Sequence, residues 1–235
     1  MNDESREAIH IGRDIEHSVL ATGSQNVIIQ AEHVMLQAVQ QAALSQRDPA
    51  RMLRVLALLA APVFNPISPD QHPVQLDLRQ EWHVLAEGIR RSRAPILIAR
   101  LTPPTLDALR YALSPRALEQ GGFPHVLHFS GHAWHGGLLL EDELGQVDPA
   151  ATCKVMKALE GLPHPLDLVV LNGCESAVDA RSVAQALLDG GLARAVIGHE
   201  KTVLDPEAVA FAASLMPSLQ PDLISGKPWS ALRSM

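Results

Sequence analysis

The stretch LRVLALLAA (53–61) decides the fold class of this 235-residue chain, because Arg54 is its one polar residue. A strand with a single buried face alternates apolar and polar side chains, whereas a near-continuous apolar run is typical of a strand buried on both faces of a parallel sheet. Such runs alternate downstream with helical segments such as LRQEWHVLAEGIRR (78–91), where Leu85 and Ile89 recur at helical spacing. The alternation predicts an α/β fold in which helices cover both faces of a mostly parallel sheet.

The remaining elements follow the same alternation. A small hairpin is predicted from Leu138 to Glu143, and a helix is predicted to begin at Asp148-Pro149, where an acidic cap precedes a proline in the first turn. Strands are predicted over 53–61, 95–101, 125–130, 166–172 and 193–198, and helices over 78–91, 105–113, 180–188 and 206–215.

The first 48 residues predict a smaller, separate unit. The runs IHIGRDI (9–15) and NVIIQ (26–30) predict two strands around the turn ATGSQN (21–26), and AEHVMLQAVQQAAL (31–44) has the apolar stripe of a helix. This helix is expected to end near Asp48-Pro49, because a proline restricts the residue before it. We therefore expect a hairpin–helix adaptor or association unit over 1–48, with possible self-association through it, and one α/β domain over 49–235.

Charge and cysteine content limit the classes of partner and compartment. The formal net charge is −7, which gives no basic surface for nucleic acid or anionic lipid. Two cysteines cannot form a disulfide framework and fit a reducing compartment. The N-terminal MNDESREAIH has no signal-peptide pattern, and no apolar stretch is long enough to span a bilayer. We expect a cytoplasmic protein that binds neither nucleic acid nor a membrane.

Reactive side chains follow two of the predicted strands. The third strand runs into Ser130-Gly131-His132-Ala133, and the fourth runs into Asn172-Gly173-Cys174-Glu175. Ligands of open α/β sheets bind beyond the carboxyl ends of the strands, and neighbouring strands lie about 4.8 Å apart. A thiol becomes a nucleophilic thiolate beside a base or cation. A single cysteine or histidine usually has a structural role, but this ordered pair predicts a reactive site at His132 and Cys174.

Other chemistries fit the sequence less well. The histidines at 125, 128, 132 and 135 match no closed zinc set, so no metal is expected, with His128 packed under the site and His125 satisfied in the sheet. Glu141 is expected at a solvated hairpin tip, and Cys153 is interpreted as a packing residue of a helix. Phosphate-loop and dinucleotide motifs are absent, so no cofactor is expected.

The segments around the two strand ends resemble the caspase-like cysteine peptidases of clan CD, and especially the bacterial CHAT domain, with separases nearby. The resemblance extends over about residues 52 to 232 and implies a three-layer caspase-like fold. It rests on VLHFSGHA (126–133), GLLLEDELG (137–145), LDLVVLNGCESA (166–177) and GGLARAVIGHEKTVLDPEAVAFA (190–212).

What the resemblance implies is hydrolysis of peptide bonds through a thioester. Cys174 would attack the scissile carbonyl, and His132 would act as general acid and base. Backbone N–H groups of Cys174 and Ala133 would stabilise the oxyanion, although relatives usually have glycine where this chain has Ala133. The neutral Asn172 implies no strong preference for a basic residue before the cut. The roles of the remaining residues would be substrate binding for Asn172, Gly131 and Gly173, and support for Glu175 and Ser176.

The resemblance also suggests a biological setting. CHAT domains are commonly regulated effectors in bacterial defence and conflict systems, so we expect a protein substrate and an upstream activator or sensor protein. The alternative is a catalytically inactive, peptidase-like module that serves protein interaction.

Overall fold

The strands of the molecule form two sheets, which a computed structural model describes for residues 19–22, 27–30, 52–65, 73–91, 95–179 and 181–219. The predicted strand over 9–15 and the predicted helix over 31–44 lie outside these residues. The strands are β1 (Val19–Thr22), β2 (Val27–Gln30), β3 (Leu53–Ala60), β4 (Ile96–Arg100), β5 (Val126–Gly131), β6 (Ala133–Trp134), β7 (Gly137–Glu141), β8 (Val147–Ala151), β9 (Leu168–Asn172) and β10 (Val196–Gly198).

The larger sheet has the strand order β1-β2-β4-β3-β5-β9-β10. Every neighbouring pair in it is parallel except β1 and β2, which are antiparallel. The second sheet is the antiparallel set β6-β7-β8. The helices are α1 (Leu78–Arg91), α2 (Leu106–Ala112), α3 (Pro115–Gly121), α4 (Thr152–Leu159), α5 (Val183–Asp189) and α6 (Asp205–Ser218).

Strand β3 is buried on both faces, as its apolar run predicts. Leu56 and Leu58 belong to a core cluster shared with α2, α4 and α5. Val55 and Leu59 point the other way, into a cluster shared with α1 and α6. Helices therefore cover both faces of a mostly parallel sheet, which confirms the predicted fold class. Helix α1 also has the predicted bounds.

Strands β1 and β2 extend the larger sheet beyond β4, with Val27 opposite Leu97. Ala21 and Thr22, which the sequence places in a turn, instead pair with Ile28 and Val27 in the ladder. Whether residues 1–48 form a separate domain stays a prediction.

The region around residue 148 differs from the prediction. Asp148 and Pro149 belong to β8 opposite Leu140 and Leu139, and α4 begins only at Thr152. A proline is tolerated in β8 because this strand lies at the edge of its sheet. The hairpin consequently runs from Gly137 to Ala151 and is larger than the sequence indicates. The sequence predictions also omit α3, which is capped by the hydroxyl of Ser114.

Within the described ranges, no helix is both long and apolar enough to cross a membrane.

Two neighbouring leucines of β3 test whether both faces are covered. Leu58 and Leu59 face opposite layers and are each 1% exposed. We expect Leu58→Ala and Leu59→Ala each to lower the free energy of unfolding by about 2–5 kcal/mol, because each change leaves a cavity. Urea unfolding followed by circular dichroism measures this loss. Leu144→Ala is the control, since Leu144 is 78% exposed. A small loss at either core leucine would show that its face is not covered.

Candidate active site

The carboxyl ends of β5 and β9 bring the two reactive side chains to one rim of the sheet. The strands are parallel neighbours, which is the condition for the predicted pair to meet, and Ser130 lies opposite Asn172 at their ends. His132 and Cys174 each follow this last pair by two residues. The register therefore puts His132 and Cys174 in the loops just beyond the ends of adjacent strands.

Two glycines allow these strand ends to approach other backbone closely. A Cβ atom on Gly131 would lie 2.6 Å from the carbonyl oxygen of Ala60 on the neighbouring β3. On Gly173 it would lie 2.7 Å from the carbonyl oxygen of Gly131 and 2.9 Å from the Cβ of Ala133. All three distances are shorter than real Cβ contacts, so a side chain at either position would force the neighbouring atoms to shift. The loop that carries Cys174 consequently packs directly on the loop that carries His132.

Cys174 is half-buried, and its Sγ lies 3.7 Å from the carbonyl oxygen of Val203. Glu175, the next residue, has a φ of 54°, in the left-handed region that costs a non-glycine residue energy. Its N–H donates to the carbonyl oxygen of Lys201 at 3.3 Å, and its side chain is exposed. The strained turn at Glu175 bends the chain sharply just after the thiol.

Ser176 anchors the far side of this turn and is fully buried. Its Oγ donates to the carbonyl oxygen of Leu171 at 3.0 Å and accepts from the backbone N–H of His199 at 3.1 Å. The hydroxyl thus ties the cysteine loop to β9 and to the residue that follows β10. These contacts are consistent with structural support of the thiol by Ser176.

The imidazole of His132 is hydrogen-bonded to a segment outside the cysteine loop. Its Nε2 lies 2.6 Å from the carbonyl oxygen of Val74, so Nε2 carries the proton and donates it. In the described part of the chain, His132 and Cys174 do not hydrogen-bond each other; each instead contacts a backbone carbonyl.

The two segments that supply these carbonyls are neighbours, and we name residues 73–77 and 201–205 together the collar. The backbone N–H of Asp77 donates to Oδ2 of Asp205 at 3.3 Å, which joins the two segments. Val74 is 74% exposed and Leu204 is 64% exposed, so the collar presents apolar side chains to solvent beside the reactive pair.

Asn172 lies beneath the rim and is only 2% exposed. Its Nδ2 donates to Oε1 of Glu81 and to the carbonyl oxygen of Ala208, each at 3.0 Å. Its Oδ1 accepts from Nε2 of His199, also at 3.0 Å. Both ends of the amide are therefore engaged within the protein. A role of Asn172 in substrate binding stays a prediction.

Glu81 is the residue of this region that the sequence predictions omit. It is 1% exposed and approaches Nε2 of His128 at 3.2 Å, while Ser130 donates its hydroxyl proton to Oε2. A signal was present, because Glu81 lies three residues after Leu78 and four before Leu85, within the buried stripe of α1. Helical periodicity marks this position as buried but does not identify its partners.

The other histidines have separate partners. Nδ1 of His125 accepts from the backbone N–H of Arg54 at 3.0 Å, and burial together with the charges of Arg54 and His164 lowers the pKa of His125 to about 4. His128 is fully buried beneath the site, and His135 lies 3.4 Å from Asp179. These positions agree with the expectations for His125 and His128. Among the residues that the structure describes, no three possible ligands are grouped to hold a metal.

Two other expectations are wrong. Cys153 is exposed on α4, because Val155, Ala158 and Leu159 form the buried side of that helix. Glu141 does not lie at a solvated tip: its Oε1 accepts from the backbone N–H of Ala61 at 2.8 Å. Burial raises the pKa of the Glu141 carboxyl, and this hydrogen bond opposes the shift. Long-range contacts therefore decide both environments.

The contact between the two loops can be tested at Gly173. We expect Gly173→Ala to lower the free energy of unfolding by about 1–3 kcal/mol, because the added methyl group meets backbone that must move. Gly161→Ala is the matched control, since a Cβ there would meet nothing within 4 Å. Thermal and urea unfolding compare the two variants. Equal stabilities would show that the loops do not pack as described.

Comparison with known proteins gives one family match. A model of the CHAT domain family matches residues 15–234, a range that includes β1, β2 and both reactive strand ends. No curated protein matches the chain.

The match and the fold agree. The matched range spans nearly the whole chain, and the mostly parallel sheet flanked by helices is consistent with a caspase-like fold. The chain therefore belongs to the CHAT domain family, which is related to the caspase-like cysteine peptidases of clan CD.

Proposed function

We propose that this protein is a cytoplasmic cysteine endopeptidase that cleaves a dedicated protein partner with Cys174 and His132. The observation that carries the proposal is the register of β5 and β9, with Ser130 opposite Asn172. It brings a thiol and an imidazole to the loops that follow two adjacent strands, at the edge where α/β sheets bind ligands. The two free cysteines fit the reducing compartment.

The proposed reaction has two steps. The thiol of Cys174 gives its proton to His132, and the resulting thiolate attacks the scissile carbonyl carbon. The imidazolium of His132 then protonates the amine nitrogen as the C–N bond breaks, which leaves a thioester. His132 then removes a proton from water, the hydroxide attacks the thioester, and the C–S bond breaks to release the acid and restore Cys174. Backbone N–H groups of Cys174 and Ala133 stabilise the oxyanion in both steps.

The packing of the glycines supports this arrangement. The close approach of Gly173 to Ala133 brings the two backbone segments that would form the oxyanion hole into contact. Alanine keeps a backbone N–H, so the departure from glycine at Ala133 does not remove this donor.

The proposed substrate preference depends on Asn172, the neutral residue two positions before the nucleophile. Asn172 offers no charge two residues before the nucleophile, and the nearby carboxylate of Glu81 is engaged by His128, Ser130 and Asn172. We therefore propose no strong preference for a basic residue before the cut. The exposed Val74 and Leu204 border the pair and suit apolar neighbours in the substrate.

Cleavage of a randomised peptide library tests the peptidase proposal. We expect Cys174→Ala to abolish cleavage and His132→Ala to slow it by about 10²-fold or more, because proton transfer to the leaving amine is lost. Cys153→Ala is the matched control, since this exposed cysteine lies on α4, away from the strand ends. Mass spectrometry identifies the cuts, in which neither arginine nor lysine should dominate.

An inactive interaction module is the second candidate, and the separate carbonyl contacts of His132 and Cys174 favour it. An electrophilic peptide probe discriminates between the two. Stoichiometric labelling of Cys174 that is lost in His132→Ala supports the enzyme, whereas an absence of labelling in the presence of the natural partner supports the module.

We propose that the enzyme is a regulated effector with an upstream activator or sensor protein. The collar supports this proposal. Its Val74 carbonyl accepts the hydrogen bond of His132 Nε2, and its Val203 carbonyl contacts the thiol of Cys174. An activator that moves the collar would free both groups. The assignment to a bacterial defence system rests on analogy with the family.

The hydrogen bond that joins the two collar segments tests this regulation. We expect Asp205→Ala to raise the alkylation rate of Cys174 by about two- to tenfold without an activator, because one hydrogen bond of the collar is lost. The rate is measured with iodoacetamide in a Cys153→Ser background. Asp107→Ala is the control, since it removes an exposed acid from α2. An unchanged rate in Asp205→Ala would show that the collar does not restrict the thiol.

A further inference from the structure

A buried carboxylate lies beneath both loops of the proposed site. We infer that Glu81 is a positioning residue that ties the end of β5 to the end of β9, and so sets the placement of His132 relative to Cys174. This inference rests on the proposed peptidase function. Glu81 does not contact either reactive side chain and acts through Ser130 and Asn172.

The contacts of Glu81 divide between the two strands. On β5, Ser130 donates to Oε2 and Nε2 of His128 lies 3.2 Å from Oε1. On β9, Nδ2 of Asn172 donates to Oε1 at 3.0 Å. One side chain from α1 thus bridges the last pair of residues in the β5–β9 ladder, Ser130 and Asn172.

The burial of Glu81 makes this bridge specific. Glu81 is 1% exposed, and a carboxylate buried to this extent would be strongly destabilising without hydrogen-bond donors. Its side chain is therefore stable only in the position where these donors reach it. Its donors lie on β5 and β9, so these two strands determine the position of the carboxylate. The pKa of Arg100, at the end of β4, is lowered by burial and raised by Glu141 and Glu81.

The network continues from Asn172 to the opposite side of the site. Asn172 also donates to the carbonyl oxygen of Ala208 on α6 and accepts from His199, the residue after β10. An aspartate at position 172 could not donate to Glu81 and would repel it. The amide of Asn172 is therefore the group that lets α1, α6 and β10 share one network.

A small movement of the bridged pair would displace the reactive atoms of His132 and Cys174. His132 and Cys174 lie two residues beyond the bridged pair, which is about 7 Å of extended chain. A displacement of about 1 Å between reacting groups can slow catalysis about a hundredfold. A loosened bridge would therefore change how strongly His132 acts on Cys174 before it unfolds the domain.

A double-mutant cycle measures this coupling without a known substrate. The full chain carries Cys153→Ser together with Asp205→Ala, which loosens the collar, and iodoacetamide alkylation of Cys174 is timed in four proteins of this background: the parent, Glu81→Gln, His132→Ala, and both changes together. Glu87→Gln is the matched control, because Glu87 lies on the same helix and pairs at the surface with Arg91. Ser130→Ala is a milder variant that keeps two of the three donors, in case Glu81→Gln does not fold.

We expect Glu81→Gln to slow alkylation about tenfold where His132 is present and to change it little where His132 is replaced. The reason is that the carboxylate acts through the placement of His132 relative to Cys174. Ser130→Ala should slow alkylation less, and again only where His132 is present. Glu87→Gln should not change the alkylation rate. Equal slowing in both backgrounds, or no slowing, would overturn the inference. A lower melting temperature alone would indicate only a structural role.

Hydrogen–deuterium exchange separates this inference from the proposed function. If His132→Ala leaves the alkylation rate unchanged, the proposed catalytic pair is wrong, and exchange then decides the role of Glu81. Faster exchange in Glu81→Gln confined to residues 130–134 and 172–176 supports the tie between the strand ends. Unchanged exchange, or an even increase along the chain, overturns it.

Discussion

The parallel pairing of β5 with β9 is the constraint on which the rest of the site depends. Their ladder ends with Ser130 opposite Asn172, and a shift by one residue would turn every side chain of one strand to the other face. Because helices cover both faces, that shift would move residues of each core cluster into the layer of the other, so the packing of two different layers fixes the register. The placement of His132 and Cys174 is thus a consequence of core packing.

The buried polar network and the strained turn are stabilised by this packed sheet. Glu81 and Asn172 are desolvated, and Glu175 has an unfavourable φ, so these three residues oppose folding unless their surroundings compensate. For Glu81 the compensation comes from donors on rigid strands, which include His128 and Ser130 on β5. Polar groups and strain concentrated at one strand edge are typical of a site at which function outweighs local stability.

The collar connects the fold to the proposed regulation. It lies just before α1 and includes the first residue of α6, two helices that cover the same face of the sheet. The segment before α1 contacts His132 and the segment before α6 contacts Cys174. Because these helices also carry Glu81 and Ala208, a movement that opens the collar would act on the groups that hold Asn172.

The sequence by itself determined the α/β class, the bounds of α1 and the two reactive strand ends, because apolar periodicity and strand termination are local properties. It did not determine the strand at Asp148, the partners of Glu81 or the exposure of Cys153. Only the tertiary structure decided these, since each depends on a partner distant in sequence: β7 for Asp148, β5 and β9 for Glu81, and the packed side of α4 for Cys153. A local pattern marks which residues are buried or reactive, whereas their partners follow from the packing of the whole chain.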